Sequence, residues 1–101
     1  MKKEVISKLL IDINEVTDML YQQMNTVAFQ NLNLLLNEIE KIMSKLSTLK
    51  ADNPGITYEE EAVNKTLNKA MRALEHADTI LLADILKYDL TEHFELLVKT
   101  L

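Results

Sequence analysis

Apolar residues recur at three- and four-residue steps, without a break, from Ile6 to Leu49: Ile6, Leu9, Ile13, Val16, Leu20, Met24, Ala28, Leu32, Leu35, Ile39, Ile42, Leu46 and Leu49. That spacing puts one side chain per turn on the same side of a 3.6-residue helix and is incompatible with the two-residue alternation of a half-buried strand. Neither Gly nor Pro interrupts it, so the stripe alone allows a single helix of about 72 Å at 1.5 Å per residue. Such a rod exposes most of its apolar ridge unless a second copy covers it. The heptad phase also slips between Leu20 and Leu32, where Gln22, Gln23, Asn25 and Thr26 collect as turn and cap groups. This predicts a hairpin near Asn25 and two helices, roughly 3–24 and 27–49.

Pro54 and Gly55 are the only Pro and the only Gly among 101 residues. They mark a loop over residues 50–56, with Pro suited to the first central position of a turn and Gly to a positive φ at the second. A third helix, 58–76, then begins with Thr57 as cap and Glu60 reaching back. Glu59, Glu60 and Glu61 oppose the positive end of its dipole. Its expected core positions are Val63, Leu67, Ala70, Leu74 and Ala77. Asp78 can cap a fourth helix, 79–100, with apolar positions Leu81, Leu82, Ile85, Leu86, Leu90, Phe94, Leu97 and Leu101. Four helices of similar length with short connections predict one all-α domain over residues 1–101, an antiparallel up-down-up-down four-helix bundle. The alternative is three helices with one long first helix, paired in a dimer.

The chain carries a net charge of −5, and residues 51–101 hold ten acids against five basic residues. Phosphate backbones are bound by Lys and Arg in excess, so nucleic acid is not an expected partner. The absence of Cys excludes thiol chemistry and a disulfide framework and leans towards a reducing compartment. The apolar stretch after Met1-Lys2-Lys3-Glu4 is broken by Lys8 and Asp12, unlike a secretory leader. The uncharged run Met19 to Asn37 holds too many amides for a membrane span. A cytoplasmic protein without a membrane span is expected.

Catalytic constellations are missing. A single Gly cannot build a phosphate cradle, and neither G-x-S-x-G nor H-E-x-x-H occurs. A carboxylate-bridged metal pair needs Glu three residues before His, but Ala73 and Leu90 precede His76 and His93 at that distance. No metal or cofactor is expected. Asp89 and His93 are spaced i, i+4, so the carboxylate could orient the imidazole; this pair is the one starting point for acid-base chemistry or a small ligand-binding bundle. His76 fits a helix C-terminus, where it complements the dipole.

Apolar residues left over from the core stripes suggest another role. Ile11, Met19, Val27 and Leu34 in the first half, and Ile80, Tyr88 and Val98 in the last helix, point away from the predicted core. Charge depletion with Met and aromatic side chains marks the buried centre of protein interfaces. Met19, Val27, Leu34, Ile80 and Tyr88 are therefore the candidate partner-binding residues, for a partner helix or a second copy of the chain.

Met19-Leu20-Tyr21 on an early helix, an amphipathic middle, and two last helices separated by the acidic turn Glu75-His76-Ala77-Asp78 together resemble the flagellar export chaperones, which are small cytoplasmic helical bundles. The resemblance covers the layout of the chain. It implies a non-enzymatic protein that wraps or caps a helical client before secretion, with the client helix in an apolar groove. No client-contacting residue carries over.

Overall fold

A computed structural model describes residues 1–101 and contains helices only. α1 runs Lys3–Tyr21, α2 Asn25–Asp52 and α3 Glu60–Glu75. The fourth helix, α4, covers residues 79–100; it starts α-helical over Thr79–Asp84, widens to a π-helical segment over Ile85–Leu90 and returns to α over Thr91–Thr100. The chain is thus an all-α four-helix bundle, with the first apolar stripe divided between two helices and not spanned by one.

The break needs no Gly. α1 is capped by Gln22, after which Gln23 takes φ 58°. Met24 N donates to Met19 O at 2.9 Å and Gln23 N to Leu20 O at 3.0 Å, the pair of bonds that closes a Schellman motif. α3 ends identically: Ala77 takes φ 55°, Asp78 N donates to Ala73 O at 2.9 Å and Ala77 N to Leu74 O at 3.0 Å. Each reversal is followed at once by a new helix, so the bundle consists of two αα-hairpins joined by residues 53–59. Asp78 caps α4 as expected, its Oδ1 accepting from Leu81 N at 3.0 Å. Asn25 and Thr26 do not cap α2; the N-cap is Met24, and Asn25 Oδ1 is buried without a partner.

The long loop also departs from expectation. Thr57 and Glu60 form no capping box, since α3 starts at Glu60 and its N-cap, Glu59, makes no side-chain bond. Ile56 and Tyr58 are buried instead, and this anchoring keeps residues 56–58 out of the helix. Glu60 accepts from Ser47 Oγ of α2 at 3.0 Å, and Thr57 N donates to Thr100 Oγ1 at 2.8 Å. Lys50 Nζ, near the end of α2, donates to Ile56 O at 2.5 Å. With those bonds holding the loop, Gly55 has no positive φ.

α1 packs along α2 and along the full length of α4, while α3 packs on α4. One contiguous core of 24 apolar residues fills the centre, with Leu9, Ile13, Leu20, Leu32, Ile39, Leu46, Leu82, Leu86, Leu90, Phe94 and Leu97 fully enclosed. α3 contributes small core residues, Val63, Thr66, Ala70 and Ala73. The 41 Å long axis matches α2, whose 28 residues span about 42 Å at 1.5 Å each. Three expected core positions lie outside: Met24 and Leu81 are exposed, and Ala77 is exposed in the left-handed turn. Leu49, Leu67, Leu74 and Leu101 are half-buried at the core's margin, as is Val98, which faces the core and not away from it.

Candidate functional site

α1 turns Lys8, Asp12, Glu15 and Met19 towards α2, at i, i+4, i+7 and i+11. α2 runs antiparallel and presents Val27, Asn31, Leu34 and Glu38 at the same intervals, because its core face, Ala28, Leu32, Leu35 and Ile39, lies to one side of them. Between the two rows is an open hollow of ≈ 230 Å³ whose floor is Val16 and Leu35.

The two ends of the hollow differ in chemistry. At one end Lys8 Nζ lies 2.6 Å from Asp12 Oδ2 and 3.6 Å from Glu38 Oε1. Burial, then the neighbouring Asp12 carboxylate, push the Glu38 carboxyl above its usual range, and Lys8 offsets only part of this. Lys8 also shifts upward, here because its hydrogen bond to Asp12 and the charge of Glu38 favour the charged ammonium. At the other end charge vanishes. Asn31 Nδ2 donates to Val27 O at 2.9 Å and approaches Met19 Sδ at 3.8 Å. Leu34 is 69% exposed and Val27 40% exposed, two turns apart on the same side of α2, while Met19 is half-buried against the core.

Of the five candidate partner residues, Met19 and Leu34 line this hollow, and Val27 lies just beyond it, one turn before Asn31 on the same side of α2. Ile80 and Tyr88 are exposed on α4 and do not line this hollow. Ile11 is exposed on the outward side of α1. Tyr88 instead shares Lys87 with Tyr21: the ammonium stands 5.6 Å from the Tyr88 ring centre and 5.4 Å from that of Tyr21.

Asp89 and His93 share no hydrogen bond. His93 Nε2 is bonded to Thr66 Oγ1 of α3 at 3.1 Å, and Asp89 lines a different hollow beside Lys69 and Arg72. The cause is the π-helical segment, which ends at Leu90 and alters the winding on which an i, i+4 pairing depends. His76 sits where expected, as the α3 C-cap, donating from Nδ1 to Arg72 O at 2.8 Å. The bond from Tyr21 to Asp84 escaped the sequence reading, because nothing local signals a contact across 63 positions.

Fold and face together define a small four-helix-bundle protein with an amphipathic surface hollow. The family described as "Domain of unknown function (DUF8042)" matches residues 3–100, and the chain belongs to it. No curated protein and no solved structure matches the chain. No helix is long and apolar enough to cross a membrane.

Proposed function

We propose that this chain is a non-enzymatic, cytoplasmic protein-interaction module that binds a partner helix, or a second copy of itself, along the α1–α2 hollow. The observation that carries the reading is the exposure of Leu34 and Val27, 69% and 40%, beside Met19 within a run of 19 residues, Met19 to Asn37, that holds no charge. Leu34 on the rim of the hollow and Val27 two turns before it on the same side of α2 present apolar side chains at i, i+7, which suits the i, i+3, i+7 anchors of an amphipathic helix. The separation of Asp89 from His93 supports a non-catalytic reading, since the one candidate acid-base pair is not assembled. A chaperone of the kind the flagellar resemblance implies is a special case, in which the partner helix belongs to an export client.

The test replaces Val27 and Leu34 together by Asp. Both side chains are exposed, so the thermal midpoint stays within a few degrees of wild type. Binding is read as molar mass by light scattering over a concentration series, and as co-purifying proteins recovered by wild type and variant from the native host. Loss of the higher-mass species, or of a specific co-purifying protein, in the variant alone supports the reading. Identical mass and identical recovered proteins refute it.

A further inference from the structure

The seam between α3 and α4 opens near the reversal that joins them into a hollow of ≈ 530 Å³. Small-molecule pockets measure about 300–1,000 Å³. Its apolar lining is Ala73 from α3 with Leu81 and Ile85 from α4. Ala73 and Ile85 are buried, yet Leu81 is 46% exposed, and the short Ala73 side chain leaves unfilled the space beside it. Ile85 and Asp89 come from the π-helical segment, a distortion that recurs at functional sites.

One wall is basic. Lys69, Arg72 and His76 follow each other at i, i+3 and i+7 on α3. The bond from His76 Nδ1 to Arg72 O fixes the imidazole and leaves Nε2 as its free nitrogen. Neither Lys69 nor Arg72 is in an ion pair; both ion pairs of the structure belong to Lys8. Residues 51–101 carry twice as many acids as bases, so two unpaired cations on one wall run against the local charge balance. Across the hollow the Asp78 carboxylate is engaged as the cap of α4, accepting from Leu81 N at 3.0 Å. Asp89 is the remaining carboxylate.

We infer that this hollow binds a small amphiphilic carboxylate, with its hydrocarbon part against Ala73, Leu81 and Ile85 and its head on the Arg72 guanidinium beside Lys69. The planar guanidinium offers a fork that matches a carboxylate in bidentate fashion. Lys69 and Arg72 are matched in number by Asp78 and Asp89, so the lining has no net positive charge to spare for a dianionic phosphate ester, and a monoanion held on the one guanidinium fork is the better fit. The apolar lining requires a hydrocarbon portion, which a bare anion lacks. This site is separate from the α1–α2 hollow and does not depend on what binds there.

The experiment is a ¹H–¹⁵N chemical-shift titration of the full chain with decanoate, compared with decanol and inorganic phosphate. Decanoate is expected to saturate at or below about 1 mM, with shifts centred on Lys69, Arg72, Ala73, Leu81 and Ile85, and to bind about tenfold more tightly than decanol or phosphate. Lys69→Gln with Arg72→Gln, at two exposed positions, weakens decanoate about tenfold and leaves decanol unchanged. Leu81→Asn weakens both. Shifts that never saturate, shifts centred elsewhere, equal binding of decanol or phosphate, or undiminished decanoate binding by the Lys69→Gln/Arg72→Gln variant each overturn the inference.

Discussion

The phenol of Tyr21, the last residue of α1, donates its proton to the carboxylate of Asp84, the residue immediately before the π-helical segment of α4. This bond ties the first αα-hairpin to the second. The hydrogen bond to Asp84, with burial and the Asp84 charge behind it, pushes the Tyr21 phenol up to about 12 from an ordinary value of 10.0. A raised folded-state value means the protonated phenol is the stabilising form. Its contribution is complete below pH 10 and is lost as pH rises from about 10 to about 12. Tyr21→Phe is expected to cost about 1 kcal/mol at pH 7, the net worth of a half-exposed hydrogen bond. It should also flatten the fall in the urea midpoint over that alkaline window. An unaltered alkaline slope in the variant would show that the bond carries no stability.

Tyr58 gives the opposite sign. Burial, then the charge of Glu60, push its phenol up to about 12, with only a partial offset from Ser47. Its hydroxyl is enclosed without a hydrogen-bond partner. Removing an unsatisfied buried hydroxyl while keeping the ring relieves a desolvation penalty, so Tyr58→Phe is expected to raise stability by about 1 kcal/mol at pH 7. Equilibrium denaturation of the two Phe variants side by side checks the contrast, and a loss for both contradicts it.

Gln23 and Ala77 hold left-handed φ values of 58° and 55° at matching positions of the two reversals. A Cβ in that region costs roughly 1–2 kcal/mol, and Gly returns part of the gain as chain entropy. Each substitution to Gly is therefore expected to stabilise by about 0.5–1 kcal/mol, and the two effects should add because the sites are separate. Destabilisation by either in urea titrations would mean that its side chain makes a contact outweighing the backbone strain.

The π-helical segment has a sequence cause. Leu82, Leu86, Leu90 and Phe94 repeat every four residues, and a regular α-helix rotates such a row by about 40° per step. The wider winding of Ile85–Leu90 keeps all four in the core. Deleting exposed Tyr88 converts the row to alternating steps of four and three, the spacing of a plain α-helix. That deletion is expected to leave a folded, fully helical protein with the later core residues still buried, as read by circular dichroism and amide exchange protection. Collapse of the fold would show that the segment is not a one-residue insertion.

The helices were legible where periodicity was clean. α2 alternates four- and three-residue steps from Ala28 to Leu46, averaging the α-helical repeat, and its structure is regular throughout. The turn at Gln22 to Met24 was legible from its amides although their side chains do not act as caps, because a cluster of polar side chains where the heptad phase slips already disfavours burial of that turn. The start of α3 was misread at Thr57, since the capping pattern is local while the burial of Ile56 and Tyr58 is decided by distant partners. Among the candidate site residues, Met19, Val27 and Leu34 lie on adjacent helices joined by a short turn, so helical phase was enough to group them. Ile80 and Tyr88 depended on how the second hairpin docks on the first, which periodicity does not encode.

Because the long loop ties down beside Thr100 and both hairpins turn back at the opposite pole, Met1 and Leu101 share the loop's end of the bundle. A tag, dye or surface tether attached through either terminus holds the molecule by its base, leaving the two short reversals facing freely into solution.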